Sequence, residues 1–189
     1  MTHSHDLPIT PLGFDELTSE SRELLRGRYE RLGYLGDVFG VLGNNDGALR
    51  SFVAFADSSA KAADSNIREV VALAVAAATG AEPELFQHEH RALRLGFTRE
   101  AIAAVESLDP NHPDLPADAA VVQAASTAAA RGEWKQARES LAQLVSEAGA
   151  DHAVGVLLQI GYYLMATSMG HILGLGAPVS SIFTDFRDE

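Results

Sequence analysis

The chain has 189 residues, a formal net charge of −12 and no cysteine. Without thiols there are no disulfides, thiolate metal sites, cysteine nucleophiles or dithiol redox chemistry. Catalysis would run on carboxylates, imidazoles, hydroxyls, amines or a metal held by N and O. Fourteen basic residues against 26 acidic ones repel phosphate backbones and anionic lipid, and no run of basic residues forms a patch, so neither nucleic acid nor membrane is expected as a partner.

The length fits one domain, residues 1–189, with a single core, and 47% hydrophobic residues mark a globular chain. The segment Met1 to Thr10 is polar and lacks a basic start or apolar run. It is read as a tail carrying His3 and His5 rather than a signal peptide. Pro8, Pro11 and Gly13 extend it into a flexible arm over about residues 1–13. The longest apolar stretch is read as Val70 to Thr79, too short to span a bilayer, so the protein is expected to be soluble and cytoplasmic.

Helical patterning runs through the rest, and an all-α bundle of about eight helices is predicted. A first helix spans Thr18 to about Arg31, with Leu17, Leu24, Leu25 and Tyr29 inward. A short one follows over Leu35 to Leu42. Asn44, Asn45 and Asp46 offer a cap for a third, whose stripe is Leu49, Phe52, Val53, Phe55 and Ala56. Asn66 with Glu69 three residues on is a capping-box pattern, opening Ile67 to Thr79, which Gly80 closes. Glu82 to Leu95 ends at Gly96, and Thr98 caps a short helix through Val105. The proline-rich stretch 109–116 is the best boundary between halves. Asp118 to Ala130, Trp134 to Ala148 and a long apolar helix of about Ala150 to Leu173 complete the chain. Trp134 is read as a structural anchor, Tyr162 and Tyr163 as packing residues with one hydroxyl tied down. His112 and His152 are read as loop and helix-start residues.

The chemistry concentrates in residues 69–91. On one helix Glu84 and His88 are four apart and Arg91 three further on, so the three share a stripe. A carboxylate, an imidazole and a guanidinium in line can bind an acidic group and move a proton beside it. Glu69 comes within reach of them if the helices on either side of Gly80 cross favourably; otherwise it is a dipole-stabilising residue. His90 points away from His88 and is read as a satisfied core or interface histidine. His171, polar among Met169, Ile172 and Leu173, is either a buried histidine at a subunit contact or a second candidate to reach the pocket. Two potential ligands at helical spacing without a His-x-x-x-His or an Asp-rich loop do not make a metal site, and none is predicted.

Residues Arg68-Glu69, the Ala-rich helix to Thr79-Gly80, the segment Glu82 to His88, the run Ala92 to Ile102 and the piece Gly161 to Met165 occur in an order and spacing that resembles the carboxymuconolactone decarboxylase superfamily, which includes the AhpD-like alkylhydroperoxidases. The resemblance runs from about Leu12 to Gly174. It implies an AhpD-like helical fold, assembled as a trimer or hexamer, with a dimer also possible. It also implies that the redox branch's two cysteines fall on Ala81 and Glu84, its relay glutamate on Glu69 and its histidine on His88. Thiol peroxidase activity is therefore excluded, and Pro83 and Leu85 depart from the aromatics usual in the non-redox branch. What remains implied is cofactor-free proton transfer on a small organic acid or lactone, as in decarboxylation with protonation of the resulting enolate. His88 is then the proton donor, Glu84 its orienter or the base, Glu69 a further catalytic residue, and Arg91 and His171 substrate-binding residues. The alternative is a non-catalytic ligand-binding or oligomeric protein that kept the fold.

Overall fold

Helix-favouring alanine and leucine and well-placed caps produce the predicted elements one after another. A computed structural model describes residues 7–116 and 118–184. His3, His5 and the rest of residues 1–6 of the predicted arm lie outside them. Among the described residues there is no strand. A 3₁₀ turn, Phe14–Glu16, leads into eight helices: α1 Ser19–Leu32, α2 Asp37–Leu42, α3 Asp46–Lys61, α4 Ser65–Thr79, α5 Glu82–Arg94, α6 Arg99–Glu106, α7 Ala120–Ala130 and α8 Trp134–Leu173. The long α8 is broken at Gly149 (φ 86°, ψ 165°), between the two helices expected there. That backbone region is open in practice only to glycine.

The described contacts divide into two units. One comprises the chain up to Ser58 with Met169–Leu175; the other comprises Ser59–Ser168 with the residues from Gly176 onward. The division does not fall at the 109–116 stretch, which joins α6 to α7 inside the second unit. Pro and Gly mark a turn there without separating two cores.

In the first unit Leu17, Leu25, Leu49 and Val53 are buried, with Leu12, Phe14, Leu35, Phe39 and Leu42 packed around them. Leu24, predicted to face inward, is exposed. The described end of the arm is tied down: the Leu12 amide donates to the Gly40 carbonyl at 3.0 Å and Asn44 Nδ2 to the Thr10 carbonyl at 2.9 Å. Asp46, at the start of α3, accepts from both Thr18 and Ser21 hydroxyls, which joins α1 to α3.

The second unit is built around α4, whose Ile67 and every residue from Glu69 to Ala76 are buried. Its alanines let α5, α6 and α7 pack closely on it. The predicted capping box is not the one formed. Asp64 is the N-cap, its Oδ1 accepting from the Asn66 amide at 2.8 Å, so α4 starts earlier and Glu69 falls beyond its first turn. Thr98 caps α6 as expected, accepting from the Ala101 amide at 3.1 Å. Trp134 is not an anchor: it is 65% exposed.

By length and composition α8 is also the one described helix long and apolar enough to cross a membrane, with 44% of its apolar window buried. Val70 to Ala78 remains the longer uninterrupted apolar run, since α8 is interrupted at Gln159 and Thr167. Helix α8 escapes a simple run-length reading because polar and small residues interrupt it.

Candidate active site

Glu69 is fully buried, and a carboxylate in a helix interior must find charge or donors nearby. It finds both on α5, which returns antiparallel beside α4 after Gly80. Glu69 Oε2 stands 2.6 Å from His88 Nδ1, and Oε1 stands 3.0 Å from Arg91 Nε as an ion pair. A carboxylate accepts only, so Nδ1 carries the proton and donates it, and this bond selects the tautomer and aims Nε2 away from Glu69.

Nε2 faces Glu84, whose Oε2 is 3.7 Å away. That is an electrostatic contact, too long for a hydrogen bond. Glu84 therefore does not orient His88; Glu69 does. Glu84 sits one turn back along α5, its side chain 24% exposed, with the imidazole almost covered behind it. The imidazole thus lies between two carboxylates, one buried and bonded, the other open to a ligand. Arg91 is 41% exposed while its Nε serves Glu69, so the outer edge of its guanidinium is left for an incoming anion.

Tyr163 closes the site from α8. Its ring lies perpendicular to the His88 imidazole, with centroids 5.0 Å apart and an interplanar angle of 89°; Tyr162 packs across it in turn at 5.0 Å and 79°. Burial, reinforced by the Glu69 carboxylate, pushes the Tyr163 phenol well above the ordinary tyrosine range and keeps it un-ionised.

The structure thus brings Glu69, Glu84, His88 and Arg91 together. The remaining predicted residue, His171, is exposed near the end of α8, in the segment that belongs to the first unit. His90 is satisfied as expected: Nε2 lies 3.0 Å from the Ser180 carbonyl. Tyr163 was legible as a packing residue but not as a neighbour of the imidazole, since it is 75 positions away along the chain with no charge to flag it. Of the two positions on which the resemblance would place the redox cysteines, Ala81 is buried at the start of α5 and Glu84 faces His88. Leu85, at one of the departures from the usual aromatics, packs against the main core. Among the described residues no group of three His, Asp or Glu side chains is arranged to hold a metal ion.

No protein-family model matches the chain, and no curated protein matches it in sequence. Solved structures match its fold. The debrominase Bmp8, as a cysteine-to-alanine variant in complex with 2,3,4-tribromopyrrole, superposes with a TM-score of 0.77 at 16% identity, over 94% of this chain and 95% of that one. Apo Bmp8 gives 0.76 at 16% identity over 91% and 92%. An alkylhydroperoxidase AhpD core protein from Ralstonia eutropha JMP134 gives 0.72 at 14% identity over 87% and 88%. These likenesses show that the chain has the AhpD-like helical fold.

Proposed function

We propose that this cysteine-free chain of AhpD-like fold is a cofactor-independent acid/base enzyme acting on a small organic acid or lactone, most like a carboxymuconolactone decarboxylase. The observation that carries the reading is the Glu69–His88 pair. A buried carboxylate holds Nδ1 at 2.6 Å and leaves Nε2 beside a half-open carboxylate, which is the layout of a proton carrier.

In the proposed cycle Arg91 takes the substrate's anionic group. The electron pair of the bond to the departing carboxylate moves into the substrate's own carbonyl, releasing carbon dioxide and leaving an enolate. Nε2 of His88, in its protonated form, returns the proton to carbon. Positive charge on the ring is met by Glu69 on one side and Glu84 on the other, and Glu84 reloads Nε2 from solvent. The structural neighbours support enzymatic use of this fold, since Bmp8 is described as a debrominase. Chemistry that needs a thiol is closed to this chain, and proton transfer is not.

The same proposal includes a cytoplasmic, soluble homo-oligomer, a trimer or hexamer with a dimer also possible, without nucleic-acid or membrane partners. Support for the assembly comes from an exposed stripe on α8 that carries no charged residue.

Turnover of small carboxylates and lactones by wild type and His88→Gln is the test. A loss of about 10²-fold or more in kcat is expected. An unchanged rate overturns the acid/base reading, and saturable binding without turnover in the wild type favours the ligand-binding alternative.

A further inference from the structure

Two constraints are needed to hold an imidazole as a proton carrier. The hydrogen bond at Nδ1 holds one edge of the ring, but the imidazole can still turn about its Cβ–Cγ bond and swing Nδ1–H out of line with the Glu69 oxygen. Hydrogen bonds weaken steeply when the donor angle falls, so an untethered ring plane loses the short bond as it turns. The second constraint is visible in the structure: the Tyr163 ring lies perpendicular to the imidazole at 5.0 Å. Such perpendicular pairs are a preferred aromatic geometry. Tyr163 is itself 5% exposed and braced by the perpendicular Tyr162 ring. Both tyrosines belong to α8, whereas His88 belongs to α5 and Glu69 to α4.

We infer that Tyr163 is a positioning residue: its ring plane, not its hydroxyl, holds the His88 imidazole in the orientation that keeps Nδ1–H on Glu69 and Nε2 toward Glu84. The inference rests on the reading of His88 as the proton carrier, and it assigns α8 a part in a site whose polar groups all come from α4 and α5. The phenol is held un-ionised by burial and by Glu69, so it brings no second charge to the pair, which is consistent with a role carried by shape.

The experiment is nitrogen-15 NMR of the imidazoles in the full-length free protein, with no substrate present. His88→Gln identifies the His88 Nδ1–H resonance, which a short bond to a carboxylate places far downfield and protects from exchange. Tyr163→Phe keeps the ring and is expected to retain this resonance. Tyr163→Leu removes the ring and is expected to lose it, with Nδ1 and Nε2 moving toward averaged tautomers although Glu69 is intact. Should Tyr163→Leu not fold by circular dichroism, Tyr163→Met fills the volume with an unbranched chain and is read in its place. Retention of the wild-type resonance in the folded ringless variant overturns the inference, as does its loss in Tyr163→Phe or its absence from the wild type. Full turnover by His88→Gln would instead sink the acid/base reading and leave the NMR result standing, so the two failures are told apart.

Discussion

Glu69 shows how one buried charge organises a site. Fully enclosed in α4, it is held by His88 on one oxygen and Arg91 on the other. Removing one partner of a buried, paired charge typically costs about 3–5 kcal/mol, because the other is stranded. This couples the candidate site to stability. Glu106, at the end of α6, presents the opposite case: burial and the nearby Glu89 carboxylate push it up to about 8. Its folded value lies above the unfolded 4.5, so the native state retains a proton that the unfolded chain releases. The associated stability is complete below about pH 4.5 and is lost as pH rises toward 8. Glu106→Gln is expected to remove this slope. Melting curves from pH 5 to 8.5 should show the wild type falling relative to the variant by roughly 2–4 °C, a figure reduced for partial solvent screening. Parallel curves would refute it.

Helix α5 divides its work between two faces. His88 and Arg91 serve Glu69, while Glu89 and His90 grip the turn at residues 180–184. Both Glu89 oxygens accept from the Ser181 hydroxyl and Oε2 accepts from the Ile182 amide at 2.6 Å. The buried Glu89 thus has its donors supplied by a distant segment, and α5 is anchored from behind. Helix α8 is placed by backbone contact. A Cβ added at Gly155 would lie 2.0 Å from the Ala62 carbonyl oxygen and 2.8 Å from its carbon, both backbone atoms that cannot swing aside. Gly155→Ala is expected to destabilise the second unit by about 1–3 kcal/mol, read as a lower urea midpoint. Since α8 carries Tyr163, the Nδ1–H resonance of His88 should weaken with it. A substitution without effect on the midpoint would mean that α8 has room to move.

For the molecule as a whole the unexplained surface is α8. Val154, Leu157, Gly161, Met165 and Ser168 are all exposed and fall within a sector of about 80° on a helix of 3.6 residues per turn. No Asp, Glu, Lys or Arg occurs between His152 and Thr184. In a chain of net charge −12, such a neutral stripe is where two copies can approach without like-charge repulsion, and Gly161 permits close approach of backbones. Light scattering is therefore expected to give a multiple of 20.1 kDa. Leu157→Lys should shift the mass toward the monomer while the His88 resonance remains. A 20.1 kDa wild-type particle would refute the assembly.

The sequence by itself determined the all-helical class, the positions of most helices, the break between Ala148 and Ala150, and the Glu84–His88–Arg91 stripe. All of these are short-range: caps, glycines and i, i+4 spacing act over one or two turns. It also excluded thiol chemistry, since composition needs no geometry. Only the tertiary structure decided that Glu69 orients His88, that Glu84 stands too far off to do so, that Tyr163 abuts the imidazole, and that Leu24 and Trp134 are exposed. Helix crossing and burial depend on where distant segments pack. The capping pattern at Asn66 misled for the same reason: Asp64 captured the helix start, and the carboxylate that would have closed the box was drawn inward by a histidine and an arginine on the next helix.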